Sequence, residues 1–197
     1  MRATALPPDE RRSAIVGATL PLLVEHGDRV TTRQIADAAG VAEGTIFRVF
    51  DDKDAVITAV VEAACDPAPL EAALGAIDLD QDLETVLEAA VAILQERVVN
   101  IWRLLSSVGT RFHEHARRPM TDSDALTALF DRYRAALAVS PAQAARLLRA
   151  LTLSLTHPML AGEPMAPREL VQFFLHGVAR PSPASTAIAA TTKASRC

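Results

Sequence analysis

A chain of 197 residues, half of them hydrophobic, is long enough to bury a sizeable core in one or two domains. Its formal charge of −4 lacks the basic excess that announces a nucleic-acid partner, and Cys65 and Cys197 are too few for a disulfide framework or a cysteine metal cluster. No apolar run reaches the ~18 residues that span a bilayer and the start, MRATALPPDERR, is too polar for a signal peptide, so a soluble cytoplasmic protein without a membrane partner is expected.

Ala, Leu and Val dominate, and the Ala and Leu share favours helix. No alternating run is bounded by hairpin turns, so the expected fold class is all-α. Residues 1–7 are expected to be disordered. A helix is predicted from Pro8 to His26, with Pro8 in its first turn and Asp9 and Glu10 near its positive end. Ile15, Ala18, Thr19, Leu22 and Leu23 recur at helical spacing and form its buried stripe. Gly27 is the expected left-handed cap. Pro21 interrupts one backbone bond, which predicts a kink rather than an end.

Thr31 and Gln34 have capping-box spacing and start a second helix at Thr32. It ends near Ala39, and Gly40 supplies the turn. A third helix is predicted from Glu43 to Val49. Asp51 or Asp52 then caps a fourth, from Lys53 to about Ala64. Asp66-Pro67-Ala68-Pro69 reads as a domain boundary, giving domains at 8–65 and 66–179. Beyond it, helices are expected from Leu83 to Ser107, Ser123 to Ala138, Pro141 to Thr156, where Pro158 stops the chain, and Pro167 to Val178. The stretch 180–197 is Ala/Ser/Thr/Pro-rich and reads as a disordered tail.

The segment Thr31 to Asp54 carries the chemistry: two short helical patterns around a glycine turn, a helix-turn-helix. Ile35, Ala36, Ala39, Val41, Ile46 and Phe50 have the spacing of a small internal core. That leaves Glu43, Gly44, Thr45, Phe47 and Arg48 facing outward. Thr45 suits a phosphate or a thymine methyl, and Arg48 suits guanine O6 and N7. Thr32, Arg33 and Lys53 sit at helix starts, where a phosphate would be clamped and the register set. Double-stranded DNA is thus the expected macromolecular partner. The first 64 residues nevertheless hold seven Arg and Lys against ten Asp and Glu, so binding rests on the placement of a few cations.

Ile15-x-x-Ala18 with Gly27, then Ile35-Ala36-x-x-Ala39-Gly40-Val41, then Gly44-Thr45-Ile46-Phe47-x-x-Phe50 and Lys53 form a specific run. Residues 12–58 resemble the N-terminal domain of TetR-family transcriptional regulators. The resemblance implies an N-terminal three-helix DNA-binding domain and a variable C-terminal helical domain for ligand binding and dimerisation. It further implies a homodimer on a palindromic operator. By carry-over, Thr45, Phe47 and Lys53 match phosphate-contacting positions, while Arg33, Glu43, Gly44 and Arg48 match positions near phosphates or base edges. The chain departs from the family at Phe47, usually Tyr, which loses a hydroxyl. Ala42 replaces a frequent Ser cap, Glu43 a basic or neutral residue, and Val49 a polar aromatic. Weaker non-specific binding is the expected consequence.

In the second half, Leu147, Leu148, Leu151, Leu155, Phe173, Phe174 and Val178 exceed what a small core needs and are the expected dimer interface. Arg146 and Arg149 then lie at its rim or pair with acids. Trp102, Phe112, His113, Phe130 and Tyr133 are the candidate lining of a pocket for a lipophilic effector. The run Arg111 to Arg118 reads as a solvated helix end. His113 and His115 with Glu114 make no metal site, no nucleophile–base pair or phosphate loop appears, and neither enzyme activity nor a cofactor is expected. The leading reading is a ligand-responsive DNA-binding regulator, most often a repressor. The alternative is a helical sensor or protein-interaction dimer with a vestigial DNA-binding head.

Overall fold

The computed structural model describes residues 7–116 and 122–176 of the chain. The expectations for residues 1–6, for Val178 and for the tail at 180–197 lie outside the described residues. Among the described residues every regular element is helical. Helix α1 spans Pro8–His26 and buries Ile15, Thr19 and Leu23, one residue per turn along a single stripe. The Thr19 hydroxyl donates to the Ile15 carbonyl at 2.7 Å, which satisfies a fully buried polar group. The helix runs on through Pro21 because buried side chains lie on both sides of it. Gly27 is not the left-handed cap the sequence predicts. Its φ of 64° comes with ψ of −152°, a region that essentially only glycine enters. A Cβ there would also meet the Ser107 carbonyl oxygen at 2.4 Å, so a close approach of two backbones sets the conformation.

Helix α2 (Thr32–Ala39) and the single turn α3 (Glu43–Ile46) form the helix-turn-helix, followed by α4 (Lys53–Ala64), capped by Asp52 through the Ala55 N–H at 2.7 Å. α3 ends three residues earlier than expected. Ala42 offers no side-chain cap, and the N–H groups of Arg48 and Val49 bond back only three residues, tightening the chain into a turn. The proline cluster at 66–69 opens a helix instead of a linker: α5 covers Ala68–Gly75, with Pro69 in its first turn.

α6 (Leu83–Ser107) is one unbroken helix, capped by Asp82. A 3-10 segment follows at Thr110–Ala116. α7 (Asp124–Arg132), capped by Ser123, is shorter than predicted and gives way to a 3-10 turn at Arg134–Ala136. Ser140 caps α8 (Pro141–Ser154). Pro158 starts the single turn α9 (Pro158–Ala161) rather than merely ending α8, and α10 (Pro167–His176) completes the described chain.

Two apolar cores result. The first joins α1, α2, α3 and α4 and takes in Leu104, Val108 and Phe112 from the end of α6 and the 3-10 segment. Phe112 is buried, so residues 111–116 of the run expected to be a solvated helix end are instead part of the base on which the N-terminal head sits, and Arg117 and Arg118 lie outside the described residues. The second core joins α5, α6, α7, α8 and α10 around Leu87, Leu126, Phe130 and Leu148. α6 is the beam common to both. No helix among the described residues is long and apolar enough to cross a membrane.

Candidate nucleic-acid interface

The interface is built outward from the start of α2. The Thr31 N–H donates to Gln34 Oε1 at 2.9 Å, and the Thr31 hydroxyl accepts from the Gln34 N–H at 3.2 Å, a complete capping box. Gly40, at φ 66° and ψ 30°, ends α2 in the left-handed conformation, and the Val41 N–H closes the turn on the Ala36 carbonyl at 3.0 Å. Ile35, Ala36, Ile46 and Phe50 are then buried together, with Ala39 and Val41 packed against them. Ile46 and Phe50 point inward and Val49 packs against the same core, which turns the rest of the segment outward. Glu43, Gly44, Phe47 and Arg48 are exposed, and Thr45 is half-buried. Phe47 is 53% exposed, an aromatic ring held in water.

Thr32 and Glu43 are joined: the Thr32 hydroxyl donates to the Glu43 carboxylate at 2.5 Å, tying the first turn of α2 to that of α3. The carboxylate that would repel phosphate is thereby committed to the turn itself. Arg33 stands exposed on α2. Lys53 is half-buried, and its ammonium donates to the Asp28 carbonyl at 2.6 Å. An ammonium has three N–H donors, so a phosphate could still take one while the first braces α4 against the α1–α2 connection.

Sequence reasoning missed Arg12. Its guanidinium lies over the Phe50 ring, 4.3 Å from the centroid, and Nη1 is 3.5 Å from the Val49 carbonyl. This places an exposed cation beside the recognition turn. Only the packing of α1 on that turn reveals it, because in sequence Arg12 is one more polar residue of the first helix.

The head is tied to the end of α6 by more than apolar packing. Arg111 pairs with Asp54 at 3.0 Å, and His115 Nδ1 lies 3.6 Å from the Glu62 carboxylate. His113 Nε2 is 2.9 Å from the Leu105 carbonyl, which can only accept, so that nitrogen carries the proton.

The five residues proposed as a pocket do not converge. Phe112 belongs to the first core and Phe130 to the second, where its ring centroid is 6.0 Å from that of Phe174. Trp102 stands edge-on to His157 at 4.5 Å. The Tyr133 hydroxyl is within bonding distance of the Leu79 and Gln81 carbonyls, at 3.0 and 2.7 Å, fixing the loop before α6. These residues lie on different elements, which present them to different neighbours. A cleft of about 380 Å³ lies elsewhere, where Leu20 of α1 and Ala64 of α4 face Leu70 of α5 and Ile93 and Arg97 of α6.

Of the expected dimer residues, Leu148 is fully buried in its own core and is unavailable to a second chain. Its neighbours differ: Leu147 is 51% and Phe173 37% exposed, and they flank a groove with Ala150, Leu151, Ser154 and Phe174. Leu155 is half-buried against the second core. Arg146 pairs with Asp122 through two bonds of 2.6 Å beyond this groove, which holds the carboxyl below and the guanidinium above their usual pKa ranges. Among the described residues no group of three or more His, Cys, Asp or Glu is placed to hold a metal ion.

A braced helix-turn-helix with an exposed recognition turn, on a helical body, defines a two-part protein with a nucleic-acid-type head. Residues 15–60 match the family of bacterial regulatory proteins called the tetR family. It is similar to the HTH-type transcriptional repressor KstR2 of Rhodococcus jostii (strain RHA1), 28% identical over 123 residues that cover 53% of this chain and 60% of that protein. The chain thus spans less than two thirds of that relative. The fold is that of the fatty acid degradation regulator FadR from Bacillus halodurans, with a TM-score of 0.55 at 16% identity over 90% of this chain and 100% of that one. It is also that of the TetR-like regulator LfrR from Mycobacterium smegmatis, solved in complex with proflavine, with a TM-score of 0.52 at 19% identity over 87% and 99%.

Proposed function

We propose that the chain is a DNA-binding transcriptional regulator, acting as a repressor, which binds a palindromic operator as a homodimer and is released by a small lipophilic effector. The observation that carries this reading is the outward face of the recognition turn. Gly44, Phe47 and Arg48 are exposed while Ile46 and Phe50 anchor the same turn in the core. Gly44 leaves room for close approach, Phe47 suits a sugar or thymine methyl, and Arg48 suits a guanine edge. Thr45, Arg33 and Lys53 surround the turn as phosphate partners, with Thr32 and Glu43 fixing the angle between the two helices.

The groove between α8 and α10 supports an isologous dimer. Ala150 and Ser154 are small, one turn apart, and flanked by exposed Leu147 and Phe173, a surface on which a second copy of the same helices can lie closely. Two recognition turns must then stand roughly 34–36 Å apart to reach successive major grooves. An effector acts by favouring another spacing, by no more than its differential affinity for the two states.

Selection of bound sequences from a random duplex pool at moderate salt tests this. Enrichment of a palindrome with half-sites about one helical turn apart is expected. No enrichment from a folded dimer would favour a helical sensor whose DNA-binding head is vestigial.

A further inference from the structure

We propose that the cleft between the head and the body binds a small amphipathic carboxylate, its apolar part against Leu20, Leu70, Ile93 and Ile101 and its carboxylate on the Arg97 guanidinium. The cleft's volume of about 380 Å³ falls within the range of small-molecule sites, and its walls are mostly apolar. Arg97 is the one cation among the residues that line it. Its Nη2 donates to the Asp66 carbonyl at 2.9 Å, a neutral acceptor, and among the described residues no carboxylate oxygen lies within 4.0 Å of it. A guanidinium has five N–H donors in a planar fork, so the brace to Asp66 leaves a face free for a bidentate acid.

Burial pulls the Arg97 pKa below its ordinary value through lost hydration; Cys65 and Asp66 offset part of this, and the nearby Arg149 adds repulsion. An incoming carboxylate relieves both the lost hydration and the repulsion. Glu96 also borders the cleft, but it is exposed and its charge is screened by water. Asn100, one turn beyond Glu96 on α6, can donate to the second carboxylate oxygen.

The site touches elements of both cores. Leu20 immediately precedes Pro21, which has no N–H to give to the Gly17 carbonyl, so a wedge on Leu20 presses α1 where its backbone ladder is interrupted. This regulatory consequence rests on reading the chain as an effector-responsive regulator; the binding does not.

Calorimetry with decanoate on the full chain tests the site. One decanoate per chain is expected. Arg97→Gln, which keeps a donor for Asp66, should weaken it about tenfold. Ala73→Trp, from an exposed position that borders the cleft, should weaken it at least as much by filling the space. Uncharged decanamide should bind both the parent and Arg97→Gln equally. Circular dichroism confirms that each variant is folded. Absence of decanoate binding, or binding that neither variant changes, overturns the proposal. A loss in Ala73→Trp alone overturns the role of Arg97 and with it the carboxylate class. Decanoate bound as expected by a protein that enriches no DNA sequence upholds the site and removes only the regulator reading.

Discussion

Gly17 and Gly27 sit at the middle and the end of the same helix and answer differently to one methyl group. At Gly17 a Cβ meets nothing within 4 Å, so Gly17→Ala should stabilise the fold by about 0.5–1 kcal/mol through helix propensity. At Gly27 the Cβ collides with a backbone oxygen at 2.4 Å and the φ is unfavourable as well. Gly27→Ala should therefore cost about 1–3 kcal/mol or more. Urea midpoints of the two variants check both signs. Arg48 is a residue of another kind: it is exposed and stabilises nothing visible, yet it stands next to Phe47 on the outward turn. Arg48→Ala should leave the urea midpoint unchanged and cost about 1–3 kcal/mol of operator binding, with relaxed preference at one base position per half-site. Anisotropy titrations on duplexes varied at single positions measure that loss.

Helix starts were legible in the sequence because caps are local. Thr31, Asp52 and Ser140 each accept from an N–H three residues on, and each helix begins where its cap predicts. Helix ends were less legible. α3 and α7 stop early, and what stops them is the turn chemistry around Phe47 and the Tyr133 hydroxyl's hold on the Leu79–Gln81 loop. α5 was hidden because prolines that open a helix look like a linker. The burial of Phe112 was hidden because the 3-10 segment earns it by docking on α4, a contact no local pattern encodes.

The same caps make a pH prediction. Asp82 accepts from the Thr85 hydroxyl and then from the Thr85 N–H, and these bonds lower its carboxyl pKa from 3.8. A folded-state pKa below the unfolded one means the stabilisation is complete above the unfolded value and disappears as pH falls through the folded value. Thermal unfolding between pH 6 and pH 2 should hold steady down to about pH 4 and then decline. Asp82→Asn, which still caps but cannot titrate, should decline less steeply in that last interval.

Across the whole molecule, α6 links what the head touches to what the body encloses. Its C-terminal end contributes Leu104 to the first core, and its N-terminal half contributes Leu87 and Val91 to the second. A sequence boundary at residue 66 therefore separates chain segments better than it separates packing units. The face formed by α8 and α10 leaves Leu147 and Phe173 open on the body. Leu147→Glu with Phe173→Glu should convert a dimer into monomers by sedimentation without disturbing the helical signal, since both side chains are exposed in the single chain. Operator affinity should fall with it, because one half-site alone supplies only half the contacts.

The most direct measurement is the affinity of the enriched duplex for the parent protein and for a Phe47→Ala, Arg48→Ala double variant, by anisotropy at one salt concentration. The account predicts a loss of about a hundredfold in the variant, with unchanged helicity and unchanged dimer mass. Equal affinity in parent and variant would contradict it, since the outward face of the recognition turn would then have no part in reading DNA.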